Sequence, residues 1–170
     1  QTNIGMAFSK APEILPKVKE IVFMGGGFFE GGNITPSAEF NIYVDPHAAH
    51  RVIHCGRPVT MISLDVTHQA LMQRDWLNQI KELNSPVGDA SFGMLSFYER
   101  FDQNKYGNSG GPLHDPMVIA YLLHPEIFKG KLVSGKKITP LNGKTGIFFG
   151  KSFIIFNTLL YTNKVRKVVR

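Results

Sequence analysis

Two short stretches carry side chains whose types and spacing suit chemistry. In GGNITPSAEFN, residues 31–41, one carboxylate and two carboxamides (Asn33, Glu39 and Asn41) crowd around a proline and Phe40. If the chain is locally extended there, Glu39 and Asn41 point the same way. A row of amide and carboxylate groups suits the hydroxyls of a sugar, because each group both positions a hydroxyl and rejects a ligand that lacks it. The second stretch is His114-Asp115-Pro116. Its plain reading is a helix start, with Asp115 as the capping residue and Pro116 at the first helical position. An aspartate at a helix end beside a cleft also suits a metal ion or a sugar hydroxyl, and a histidine with a pKa near neutrality is a fit general acid.

Other groupings carry less. Met24 to Gly27, MGGG, lacks the GxGxxG spacing of a dinucleotide loop, and its glycines are read as a sharp turn that brings backbone near a ligand. His47, His50, His54 and Cys55 share one helical segment, but no second cluster completes a tetrahedral zinc site, so a solvated helix face is the expected reading. Asp65, Thr67 and His68 form a polar cluster at the end of an apolar run.

The elements that must position these groups alternate along the chain. EIVFMGGG reads as a buried strand over Ile21 to Met24, and PVTMISLDV as a second, ending in the Asp65–His68 cluster. Helices are expected after Thr2, after Asp45-Pro46 as far as Gly56, over Asp75–Leu83 and Val87–Arg100, and after Asp115-Pro116; KLVSG is a further strand. This order predicts an α/β domain with a mostly parallel open sheet flanked by helices. Ligands of such sheets bind beyond the carboxyl ends of the strands, where the 25–41 loop and the Asp65–His68 cluster both fall.

A length of 170 residues with 43% hydrophobic and 19% charged residues fits one globular domain with a real core. No apolar run approaches the ~20 residues of a membrane span, and the N-terminus has no signal-peptide pattern. The single cysteine, Cys55, excludes an internal disulfide framework and favours a cytoplasmic setting. The net charge of +6 is uneven: residues 1–130 sum to −3, while residues 131–170 carry nine cations and no acid. That basic segment lacks an arginine-rich face or interleaved aromatics, so neither a nucleic-acid nor a membrane partner is expected.

With these residues laid out, the chain resembles the inosine-uridine preferring nucleoside hydrolase family, its bacterial pyrimidine-preferring ribonucleoside hydrolases above all. The resemblance rests on TNIGMAF, KEIVFMGGG, GNITPSAEFNIYVDPHAA, GRPVTMISLDVTHQA and GGPLHDPMVIAYLLHPEIF. It implies hydrolysis of the N-glycosidic bond of a ribonucleoside to ribose and free base, on a Rossmann-like fold. It further implies that Ca²⁺ holds the ribose hydroxyls and the attacking water, with Asp115 as both metal ligand and substrate contact. By the same resemblance His114 is the acid for the leaving base, Asn33 and Glu39 hold the 5′-hydroxyl, and Asn41 is a further ribose contact. Met24 would lie under the sugar and Phe40 at the pocket wall, and Tyr106 falls in the FYERFDQNKYG segment that covers the base. A homo-oligomer, dimer or tetramer, is the family's usual assembly.

Two departures accompany the match. The family's DxDxGxDD motif, which supplies most of the metal carboxylates, does not occur in this sequence, and the resemblance fades past about Leu132. Residues 1–130 are therefore expected to form the C-terminal portion of a hydrolase domain and residues 131–170 a divergent basic segment. Lacking the first strands of the sheet, the chain is expected to expose an apolar sheet edge and not to hydrolyse nucleosides alone. The competing expectation is an inactive nucleoside-binding remnant, or a half that needs a partner chain.

Overall fold

The computed structural model describes residues 1–106, 110–133 and 153–159. Its centre is β2 (Val59–Ile62), which pairs in parallel with β1 (Ile21–Met24) on one side and β4 (Phe153–Leu159) on the other. β3 (Phe128–Val133) joins β4 antiparallel and completes the order β1-β2-β4-β3. The expected mostly parallel α/β sheet is what forms. β1 lies at one edge of the described sheet, and the end of KLVSG lies outside the described residues.

All four residues of β2 are buried, as befits a parallel strand covered on both faces. The two-residue alternation sorts them cleanly. Val59 and Met61 face a cluster with Ile42, Ala49 and Ile53, from α2 (Phe40–Val44) and α3 (Pro46–Ile53). Ile62 faces the other cluster, with Val66, Leu77, Leu113, Met117, Ala120 and Ile127. Leu77 comes from α5 (Arg74–Glu82), and Met117 and Ala120 from α7 (Pro116–Leu123). Each such aliphatic side chain, moved out of water, contributes ~1.5–3 kcal/mol, so the sheet is held between two helical layers rather than by its ladder alone.

The helix starts follow local chemistry. Asp45 accepts from Ala48 N at 3.0 Å and from the Thr2 hydroxyl at 2.8 Å, while Pro46 occupies the first turn. The second bond ties α1 (Thr2–Lys10) to α3, and the backbone amide of Ala48 with the Thr2 hydroxyl holds the Asp45 carboxyl below the usual carboxylate range. Close approach of these helices needs Gly5, where a Cβ would sit 3.0 Å from that of Ala48.

Three expectations are corrected. PVTMISLDV is not one strand: β2 stops at Ile62, and residues 64–67 turn into a short helix, α4 (Leu64–Thr67). The helix expected over Val87–Arg100 is longer, α6 (Pro86–Tyr106), and takes in most of the FYERFDQNKYG segment. The third concerns the 31–41 row. Phe40–Val44 is helical, so Asn41 is not on an extended strand beside Glu39.

Candidate active site

The loop that follows β1 is shaped by Glu39. Its carboxylate is 4% exposed and caps α2, accepting from Asn41 N at 2.9 Å and Ile42 N at 3.3 Å. The same carboxylate reaches back across the loop to Gly26 N at 3.0 Å. Gly26 has φ 71°, in the left-handed region, and a Cβ there would lie 2.8 Å from the Met61 sulfur. Its carbonyl accepts from Leu64 N at 2.9 Å, so this one glycine joins the ends of β1 and β2.

Asn33 and Asn41 are oriented by backbone partners. Asn33 Oδ1 accepts from Phe40 N at 2.8 Å. Asn41 Nδ2 donates to the Met24 carbonyl at 3.2 Å and lies 3.3 Å from its sulfur. A carbonyl can only accept, which fixes which end of the Asn41 amide faces Met24 and leaves its Oδ1 turned to other partners. Met24 itself is buried at 7% exposure, whereas the Phe40 ring is about half exposed. Met24, Asn33, Glu39, Phe40 and Asn41 therefore form one hydrogen-bonded group at the carboxyl end of β1.

At the end of β2 the organiser is Asp65, a residue to which the sequence assigned no role. Its Oδ2 accepts from the Ser63 hydroxyl at 2.7 Å and Phe28 N at 2.8 Å; its Oδ1 accepts from Phe29 N at 2.6 Å and Glu30 N at 3.0 Å. Burial opposes the charge, yet these four donors together hold the carboxyl below the usual carboxylate range. One side chain on α4 thus pins three consecutive amides of the loop after β1. The signal was present as a carboxylate three residues beyond a buried strand, but which amides it reaches depends on the paired loop.

Two residues further on, the Thr67 hydroxyl lies 2.8 Å from His114 Nδ1. The His68 ring is 5.9 Å from that of His114, and His68 Nδ1 is 3.3 Å from Glu30 Oε2. The expectation of a near-neutral His114 is overturned. Burial pushes its pKa down, the neighbouring His68 lowers it further, and Asp115 offsets only part, leaving it at about 4. At neutral pH this ring is uncharged.

Asp115 departs from the capping reading. It has helical dihedrals, φ −63° and ψ −37°, and its side chain makes no cap hydrogen bond to α7. Asp115 is exposed, and among the described residues no donor hydrogen-bonds its carboxylate. It does not assemble a calcium site with its neighbours: among the described residues no three His, Cys, Asp or Glu side chains gather, whereas Ca²⁺ takes about six to eight oxygens. Tyr106 is the last residue of α6. His50 and His54, on the exposed side of α3, stack at 4.1 Å with His54 Nδ1 2.8 Å from the His50 carbonyl, a helix-surface arrangement.

No helix among the described residues is long and apolar enough to cross a membrane.

The sequence pattern of the family described as inosine-uridine preferring nucleoside hydrolase matches residues 1–153. A protein of Schizosaccharomyces pombe, named only as uncharacterized, is 46% identical over 133 residues, which are 78% of this chain and 43% of that one. A pyrimidine-specific ribonucleoside hydrolase RihA of Photobacterium profundum is 44% identical over 128 residues, 75% of this chain and 41% of that one. Among solved structures, the purine-preferring ribonucleoside hydrolase from Gardnerella vaginalis superposes with a TM-score of 0.87 at 29% identity, covering 99% of this chain and 56% of that one. The chain spans less than half the length of these two curated relatives. With motifs, fold and family pattern in agreement, the chain belongs to the inosine-uridine preferring nucleoside hydrolases.

Proposed function

We propose that this chain carries the ribose-holding and leaving-group side of a ribonucleoside N-ribohydrolase site. The observation that supports it best is the group at the end of β1, where Asn33, Glu39 and Asn41 are each held by backbone donors or acceptors. Side chains fixed in this way keep their remaining polar atoms aimed without further ordering cost, which suits recognition of sugar hydroxyls. His114 and Asp115 follow a segment that pairs with the chain just beyond α4, through the Leu71–Pro112 bridge and the Leu113 N to Ala70 O bond.

In this reading Asn33 and Glu39 take the 5′-hydroxyl, Asn41 a second ribose hydroxyl, Met24 underlies the sugar and Phe40 walls the pocket. Tyr106 borders the base. In the overall reaction water adds its oxygen to C1′, the C1′–N bond breaks, and the two hydrogens of the water are divided between the new hydroxyl and the departing base. His114, uncharged in the free protein, donates a hydrogen bond to the base as negative charge builds on it. Asp115 would supply one carboxylate to a bound Ca²⁺, which would need further oxygens beyond it and would orient the sugar hydroxyls and the attacking water. The named relatives differ between purine and pyrimidine, so the N-glycosidic bond of a ribonucleoside is the substrate class proposed. A dimeric or tetrameric assembly, a cytoplasmic setting, and a boundary near residue 130 between hydrolase body and basic segment belong to the same reading.

A second reading, a half-site that binds nucleosides without turnover, is favoured by the lone Asp115. One experiment separates the two. Uridine and inosine are titrated calorimetrically into the chain, and free-base release is followed with calcium, alone and with an added chain bearing a DxDxGxDD segment. Binding alone, with turnover only after addition, supports the half-site of a hydrolase. Binding that never leads to turnover supports the second reading, and the absence of binding in every arm refutes both.

A further inference from the structure

We infer that Thr67 is a positioning residue that sets the tautomer of His114, placing the ring proton on Nε2. The hydroxyl of Thr67 is fully buried, at 0% exposure, and among the described residues its sole hydrogen-bond partner is His114 Nδ1, at 2.8 Å. A hydroxyl shut off from water must donate its proton to something, and that nitrogen is the acceptor within reach. Were the bond reversed, with Nδ1–H donating to the threonine oxygen, the hydroxyl proton would be buried with no acceptor. Nδ1 is therefore the bare nitrogen of the neutral ring, and Nε2 carries the hydrogen.

The scaffold makes this bond hard to avoid. Thr67 ends α4, whose backbone is anchored by Thr67 N to Ser63 O at 3.1 Å and His68 N to Leu64 O at 3.0 Å. The same short helix carries Asp65, whose bonds to the amides of residues 28–30 prevent it from shifting along the sheet edge. His114 is presented by the strand-like contact at Leu113, which places its ring beside the end of α4. A neutral imidazole is an effective hydrogen-bond donor from one nitrogen only, so the choice of tautomer decides which ring atom can serve a leaving group. The catalytic use of that atom rests on the hydrolase reading; the tautomer does not.

The test reads the ring directly. In ¹⁵N-histidine-labelled protein at neutral pH, long-range ¹H–¹⁵N correlations distinguish a bare from a protonated ring nitrogen, and the His114 signals are identified by their loss in His114→Gln. The expected spectrum has Nδ1 bare and Nε2 protonated, kept in Thr67→Ser and replaced by a mixture of tautomers in Thr67→Val. A protonated Nδ1 in the native protein overturns the inference, as does an unchanged pattern in Thr67→Val. Should the valine variant not fold, the native and serine spectra still decide, because a protonated Nδ1 in either refutes it. Turnover is not the readout, so failure of the hydrolase reading and failure of this one give different results.

Discussion

Replacing Asp65 by asparagine isolates the interaction that joins the two loops. The carboxylate accepts four hydrogen bonds through two oxygens, three of them from the consecutive amides of Phe28, Phe29 and Glu30 and one from Ser63. An asparagine in its place has one oxygen. In the better of its two orientations the oxygen keeps Phe29 and Glu30, and Ser63 turns to accept from the new NH₂, but the Phe28 amide faces a donor. A buried donor left unpaired costs ~1–3 kcal/mol, and bonds that lose a charged acceptor weaken by some tenths of a kcal/mol to ~1 kcal/mol each. Together these predict a loss of about 3 kcal/mol, or a fall in Tm of roughly 6–12 °C for a domain of this size. Urea unfolding followed by circular dichroism measures the first, and a thermal melt the second. The same carboxyl also gives an acid signature. Its folded pKa lies below the ordinary 3.8, so its contribution is present above that value and is lost as pH falls through the lower folded pKa. Asp65→Asn should remove that part of the acid unfolding. A loss under about 0.5 kcal/mol, with acid curves that superimpose, would refute the claim that this side chain pins the loop.

Leu77→Ala opens a hole in the cluster around Ile62 and Met117, and a loss of about 2–5 kcal/mol in urea unfolding is expected, with an unchanged m value. Gly26→Ala places a Cβ at φ 71° and 2.8 Å from the Met61 sulfur; it should cost about 1–3 kcal/mol, and a neutral melt would show that the loop can relax there. For His114 the folded pKa of about 4 lies below the ordinary 6.5, so as pH falls from 6.5 towards 4 the unfolded chain binds a proton that the folded chain refuses. Stability should drop across that window by on the order of 3 kcal/mol, and His114→Gln should flatten the slope in a pH series of urea midpoints.

Much of this architecture is legible in sequence where local chemistry decides it. Ile21–Met24 is a strand because it is an apolar run closed by three glycines, and Asp45-Pro46 starts a helix because capping and proline geometry agree. The misreadings arise where a distant partner decides. Leu64–Asp65–Val66 looks like continuing strand, but Asp65 has to reach amides some 35–37 positions earlier, and a helical turn delivers it there. The Glu39–Asn41 row looks extended, but Glu39 gains more by capping the helix that begins at Phe40. Asp115-Pro116 has the composition of a capped start, and yet the aspartate has helical dihedrals and its carboxylate makes no cap hydrogen bond. The neutral state of His114 depends on burial and on His68, neither of which adjacent residues reveal.

The bond from Asn41 Nδ2 to the Met24 carbonyl has a consequence for the choice of analogues. Because that amide cannot turn over without setting oxygen against oxygen, its Oδ1 can only receive a proton. If Asn41 meets a ribose hydroxyl, as proposed above, a sugar bearing fluorine at that position keeps nearly the outline of the hydroxyl but has no proton to give. The pocket would thus discriminate by hydrogen-bond direction rather than by size, and such an analogue should be rejected by the native protein and gain relative affinity once Asn41 is replaced by a residue that can present a donor.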